Sequence, residues 1–270
     1  MFWLRKSSRL VIFLVCFSTA RAGFERAGYG PAASALGGTY FYPETQAVFY
    51  NPSLLALLSG REVGFCHQRL FGLDELSSNQ TAFVFQIQNL RLGAGFYSFG
   101  KGDYYLENGL WFSAAFPISY FTLGGSLKGL MVAYGGDYSS DKTAAADLSA
   151  LVEVKRIRFG AVVQNVPIVP NQKNSPLPPA VWTVGASAQA TEKVDLFACG
   201  TTQKDGKEGL NLGQEYRPVE YLALRAGFRT APARFSFGFG ALYKLFQFDY
   251  SYTSHPELGG ENSFGVRVKW

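Results

Sequence analysis

From about residue 61 to the end of the chain, apolar residues recur at every second position. In 264–270, Phe264, Val266, Val268 and Trp270 share one face and Gly265, Arg267 and Lys269 the other. In 246–252, Phe246, Phe248, Tyr250 and Tyr252 oppose Gln247, Asp249 and Ser251. Segments 235–240, 222–228 and 83–88 repeat the pattern. A period of two marks strands with one apolar and one wetter face. The pattern predicts fourteen strands: 61–70, 80–89, 91–99, 104–115, 120–133, 147–156, 157–165, 180–189, 194–202, 208–216, 219–229, 233–243, 245–253 and 262–270.

The connections alternate in length. Long ones are expected at 71–79, 134–146, 166–179, 203–207 and 254–261. Short ones are expected at Asn89-Leu90, Pro117-Ile118, Lys155-Arg156, Thr191-Glu192-Lys193, Pro218 and Lys244. Two architectures use such strands. A soluble sandwich buries its apolar face between sheets. A transmembrane antiparallel barrel turns that face to lipid and keeps the polar face in the lumen, with long loops at one end and tight turns at the other. Charged residues in mid-strand (Glu153, Glu215, Arg225, Asp249 and Arg267) and an apolar face rich in aromatics favour the barrel. The fold class is therefore all-β, a barrel of about fourteen strands.

Residues 23–60 break the period. They hold Gly28, Gly30, Gly37 and Gly38, then an apolar stretch after Asn51-Pro52. Asn is a good N-cap, Pro a good first helical residue and Gly60 a plausible stop. The segment is expected to form a short helix in which Leu54, Leu55, Leu57 or Leu58 touches the inner wall. A barrel of this strand number is too wide for its own side chains to fill, so 23–60 is expected to be an N-terminal hatch before the barrel of 61–270. Residues 1–22 read as a secretory signal. Arg5, Lys6 and Arg9 precede an apolar run at 10–19, and Ala20-Arg21-Ala22 supplies small residues for cleavage.

Composition sharpens this picture. The formal charge is +5, but without Arg5, Lys6, Arg9 and Arg21 it falls to +1. No basic stripe argues for nucleic acid. The chain has 24 Phe and 15 Tyr, yet beyond the signal no apolar stretch is long enough for a transmembrane helix. Glycines inside apolar runs suit strands approached closely by another backbone. Cys66 and Cys199 are too far apart in sequence for a metal motif.

Catalytic chemistry is absent from the motifs. His67 and His255 are the two histidines, and neither Gly-x-Ser-x-Gly nor His-Glu-x-x-His occurs. A strand position for His67 and a loop role for His255 outweigh catalysis. Gly100-Lys101-Gly102-Asp103 lacks the full phosphate-loop pattern and reads as a hairpin. No cofactor or metal is called for, and the chain reads as a non-enzyme. The lumen charges Glu215, Arg225, Asp249 and Arg267 are the best polar candidates. On neighbouring strands they would pair Glu215 with Arg225 and Asp249 with Arg267, which points first to a network holding the hatch and second to solute selection.

The run from Ala47 to Leu55, preceded by Leu36-Gly37-Gly38, resembles the N-terminal segment of FadL-type and PorV/PorQ-type outer-membrane proteins. Leu212 to Tyr216, Leu222 to Phe228, Phe248-Asp249-Tyr250 and His255 to Gly259 resemble the C-terminal part of PorV/PorQ-like chains. Ser53 replaces the usual Ala after Asn-Pro, Thr39 follows Gly38, and the chain ends in Trp270 rather than Phe. The resemblance implies a fourteen-stranded barrel in the bacterial outer membrane, in contact with its lipid. It implies a role in type IX secretion or surface attachment with secretion components as partners. The alternative it implies is a FadL-like channel for long-chain fatty acids or other hydrophobic small molecules. The expected hatch residues are Gly37, Gly38, Asn51, Pro52, Leu54 and Leu55.

Overall fold

A computed structural model describes residues 23–24, 28–102, 104–135, 140–169 and 176–270. The signal reading of 1–22 lies outside the described residues. The strands are β1 (Glu62–Leu70), β2 (Ser77–Ile87), β3 (Leu90–Lys101), β4 (Tyr105–Ile118), β5 (Phe121–Tyr134), β6 (Asp141–Val154), β7 (Ile157–Pro167), β8 (Val181–Thr191), β9 (Val194–Gln203), β10 (Glu208–Val219), β11 (Leu222–Thr230), β12 (Ala233–Tyr243), β13 (Phe246–His255) and β14 (Gly259–Lys269). Each pairs antiparallel with its chain neighbours, and β1 pairs with β14, so fourteen strands close one barrel. The two-sheet sandwich is thereby excluded.

Alternation sets the two faces. On β12, Phe235, Phe237 and Phe239 point outward and are 58%, 57% and 47% exposed, while Arg234 and Ser236 at the alternate positions are buried. Leu123 and Leu127 on β5 and Phe112 on β4 continue the apolar exterior. An exterior this apolar around a polar interior is the reverse of a water-soluble protein's distribution.

Six hairpins turn tightly at the end of the barrel where β1 begins and β14 finishes. The ladders close at Ile87↔Leu90, Ile118↔Phe121, Val154↔Ile157, Thr191↔Val194, Val219↔Leu222 and Tyr243↔Phe246, leaving a two-residue turn each time. Gln88, Ser119, Lys155 and Lys244 open their turns with left-handed φ near +51° to +58°, the conformation tight hairpins demand. The sequence placed two of these turns too early: Pro117-Ile118 belongs to β4 and Pro218 to β10. Long connections survive at 71–76 and 168–180. Those expected at 134–146 and 254–261 shrink to 135–140 and 256–258, because the ladders run on through polar residues such as Asp141 and Lys142.

The N-terminal segment fills the lumen. It contains α1 (Pro31–Ala35), α2 (Ala47–Tyr50) and a 3-10 turn at Pro52–Leu57. Its seat is cut into the wall by inward-facing glycines. A Cβ at Gly227 of β11 would lie 2.0 Å from Gly37 N, and one at Gly213 of β10 2.6 Å from the Leu36 carbonyl oxygen. Val48 and Leu55 press on Gly93 of β3, Phe41 on Gly160 of β7 and Gly185 of β8, and Ala35 on Gly238 of β12. At such separations any side chain would collide, so glycine here serves close approach. Lumen side chains complete the backbone of the segment: Ser113 Oγ donates to Val48 O at 2.8 Å, and Asn211 Nδ2 to Gly38 O at 2.7 Å. Buried backbone groups need such partners.

Asn51 departs from its expected role. It makes no side-chain cap bond to the turn that follows. Its Nδ2 donates to Tyr40 O at 2.8 Å and its Oδ1 accepts from Ser53 Oγ at 2.7 Å. The backbone N–H that an N-cap would satisfy, that of Ser53, instead reaches Ser149 Oγ on β6 at 2.9 Å. The wall does the capping, and a six-residue 3-10 turn replaces the expected α-helix.

Candidate functional site

Among the described residues, a cavity lies on either side of the N-terminal segment. One, of about 330 Å³, opens at the end of the longer connections and is lined by Tyr29, Tyr40, Phe49, Trp111, Pro179 and Lys207 among others. The other, of about 1020 Å³, opens at the short-turn end and is lined by Tyr42, Pro43, Arg156, Lys193, Glu220 and Arg225 among others. Tyr40 faces the first and Tyr42 the second. Phe41 between them is fully buried against Gly160 and Gly185.

An ionic belt underlies Tyr42. Arg225 Nε donates to Glu215 Oε2 at 2.6 Å, Arg225 Nη1 to Asp249 Oδ1 at 2.6 Å, and Arg225 Nη2 to the Tyr42 hydroxyl at 3.0 Å. The guanidinium carbon also lies 5.3 Å from the centre of the Tyr42 ring. Arg217 pairs with Glu215 and lies 3.5 Å from Asp195. The expected Glu215–Arg225 pair is thus adjacent in register. The expected Asp249–Arg267 pair is not direct. Gln247 stands between them, donating to Asp249 Oδ2 at 2.9 Å and accepting from Arg267. Arg267 lies 3.7 Å from Glu62, whose carboxylate accepts the Thr45 hydroxyl at 3.0 Å. From β9 to β1 the belt is continuous, and Tyr42 and Thr45 tie the segment to it.

Within the segment, Glu44 is a buried carboxyl. Its Oε1 accepts Gly30 N at 3.0 Å and lies 3.4 Å from the Tyr50 hydroxyl, whose proton goes to Tyr42 O at 2.6 Å. Burial pushes Glu44 up to about 7. Burial likewise raises the Tyr42 hydroxyl to about 12, which keeps it protonated.

Near the opposite end the wall is irregular. The β6–β7 register shifts between Ala146 and Leu148, and Asn165 has φ of +61°. Two residues of β7, Gln164 and Asn165, there oppose Asp147 alone, the arrangement of a bulge. Lys128 Nζ donates to Asp147 Oδ1 and to Asn165 Oδ1, both at 2.6 Å, and Asn165 N to Asp147 Oδ1 at 2.8 Å. Lys128 and Asp147 are diagonal neighbours on the paired strands β5 and β6, and the bulge adds Asn165 of β7 to them.

The remaining sequence candidates have structural settings. Gly37, with φ +76°, and Gly38 form the turn after α1. Leu54 and Leu55 are fully buried, and Pro52 touches Gly124 of β5. Nδ1 of His67 lies 2.9 Å from Asn79 Oδ1 on the neighbouring strand, and His255 Nδ1 accepts two backbone N–H groups of its own turn. Gly100 and Lys101 end β3, and Asp103 lies outside the described residues. Among the described residues no group of His, Cys, Asp and Glu could hold a metal ion.

Comparison with solved structures gives a clear likeness. The barrel is similar to that of the Pseudomonas putida toluene transporter TodX. The TM-score is 0.65 at 13% identity, over 90% of this chain and 99% of that chain. A deltaS2S3 mutant of TodX, described as a monoaromatic hydrocarbon channel, matches with a TM-score of 0.64 at 12% identity, over 89% of this chain and 98% of that chain. At these identities the likeness concerns the fold. No protein-family model and no curated protein sequence matches the chain.

Proposed function

We propose that the chain is an outer-membrane channel for hydrophobic small molecules, with residues 23–60 as its hatch. The carrying observation is the partition: two cavities open at opposite ends of a closed barrel and approach each other at Tyr40, Phe41 and Tyr42. The apolar exterior suits a bilayer. The likeness to a toluene transporter supports the solute class. The short-turn end, where β1 begins and β14 finishes, faces the periplasm in this reading. The belt from Asp195 to Glu62 then latches the hatch from below. The secretion and surface-attachment reading rests on sequence resemblance, and no feature of the geometry favours it.

The test is uptake of toluene into proteoliposomes carrying the refolded protein. Entry above the rate of protein-free vesicles, accelerated by Phe41→Ala, is the expected result. Toluene entry equal to that of empty vesicles for both proteins would overturn the reading.

A further inference from the structure

The cavity at the long-connection end is not lined as a hydrocarbon site would be. Its inner part is aromatic, with Phe24, Tyr40, Phe49 and Trp111. Trp111 meets Phe49 edge-on, with ring centres 5.1 Å apart. Yet Trp111 Nε1 is buried and has no hydrogen-bond partner among the described residues. Beside the same ring, 6.0 Å from its centre, lies Lys128 Nζ. An ammonium group carries three N–H bonds. Two are taken by Asp147 and Asn165, and the third meets no acceptor among the described residues.

Leaving a buried donor unpaired is costly, and a neutral hydrocarbon in the cavity would leave both donors so. A ligand with an oxygen acceptor at one end and a ring at the other satisfies them. The sign of its charge follows from Lys128. Of the other cations that line this cavity, Lys207 pairs with Asp205 and Arg234 with Glu261. Asp147, which pairs with Lys128, does not line the cavity. An ammonium donor makes its stronger hydrogen bonds to an ionised acceptor.

We propose that this cavity binds a monocyclic aromatic carboxylate. Its ring lies among Phe24, Tyr40 and Phe49, and its carboxylate accepts from Trp111 Nε1 and Lys128 Nζ. The inference rests on the channel reading and narrows its solute. The probes are toluene and 4-methylbenzoate, which share ring and methyl and differ by the carboxylate. Calorimetry on the full chain, folded in detergent, should show 4-methylbenzoate bound about tenfold more tightly, the worth of one hydrogen bond to a charged group. Trp111→Phe keeps a ring and removes the N–H. It should weaken 4-methylbenzoate about tenfold and leave toluene within about twofold. Equal or weaker binding of 4-methylbenzoate by the unaltered protein overturns the inference whether or not the variant folds, and leaves the channel reading standing if toluene binds. An unchanged ratio in folded Trp111→Phe also overturns it. Binding of neither probe removes the channel reading as well.

Discussion

Arg225 on β11 reaches across an entire intervening strand to hold Asp249 on β13 at 2.6 Å. The strand it crosses carries Gly240 at the crossing, where a Cβ would lie 2.5 Å from Asp249 Oδ1 and 2.9 Å from Arg225 Nη2. The absence of a side chain on β12 is what lets the belt run unbroken beneath Tyr42.

Gly240→Val should therefore act at a distance. It forces Arg225 and Asp249 apart and releases the Tyr42 hydroxyl from Nη2. Breaking a buried pair of this kind costs about 3–5 kcal/mol. Urea unfolding in lipid vesicles should show a loss of that order, with raised permeability to small polar solutes. Stability and permeability both equal to the unaltered protein would mean that the belt does not secure the hatch.

The two faces of the barrel wall predict different outcomes for an introduced charge. Phe237→Arg places a cation on the exterior and should cost about 2–4 kcal/mol if the position is near the bilayer midplane. Asn211→Asp alters a lumen residue and should instead loosen its bond to Gly38 O while leaving insertion intact. Comparable insertion efficiency for both variants would reverse the assignment of inside and outside.

Acidity should keep the hatch shut. Glu44 titrates at about 7 when the segment is seated, and near the ordinary carboxylate value when water reaches it. Asp249 on β13 disfavours its charge, while Arg225 on β11 and Arg267 on β14 favour it more weakly than burial opposes it. The seated form therefore holds a proton that the released form gives up between those two values. Its stability is complete below the ordinary carboxylate range and is lost as pH rises through 7. Planar-bilayer conductance should rise from about pH 5 to about pH 8, and Glu44→Gln should stay low across that range. A parallel rise in Glu44→Gln would remove Glu44 from the explanation.

Topology can be read on intact cells. Tags at Gly72 or Asp205, in the connections 71–76 and 204–207, should be labelled from outside, and one at Lys193 should not. Equal labelling of all three would invert or abolish the proposed orientation. Ser139 and Asn174, natural tag sites in the loops expected at 134–146 and 166–179, lie outside the described residues.

Strand number and facing were legible because the period of two is uninterrupted in segments such as 235–240 and 264–270, where one register error would expose arginine to lipid. Turn positions were less so. Pro117 and Pro218 look like breakers but sit at the last rungs of β4 and β10, where a missing N–H costs little. Glu215 and Arg225 were readable as a pair from adjacent strands. Asp249 was assigned to Arg267 because the sequence does not reveal that Gly240 leaves a gap for a longer reach. Nothing in the sequence marks Glu44, whose importance lies in what surrounds it. Asn165 as a partner of Lys128 and Asp147 is hidden for a similar reason, since the bulge has no signature beyond an ordinary Asn.

The glycine-lined seat bears on how the molecule is assembled. The wall carries the imprint of Leu36, Gly37, Phe41 and Val48, residues synthesised before any strand of that wall. The segment leaves the lumen at the seam itself: Arg61 N donates to Trp270 O at 2.9 Å, and Trp270 N to Arg61 O at 3.0 Å. The first and last parts of the barrel thus meet where the segment enters. Contacts of such sequence separation form late and slowly. Closing the seam and seating the segment become one step in time, and a chain whose beginning is misplaced has no finished cylinder to close.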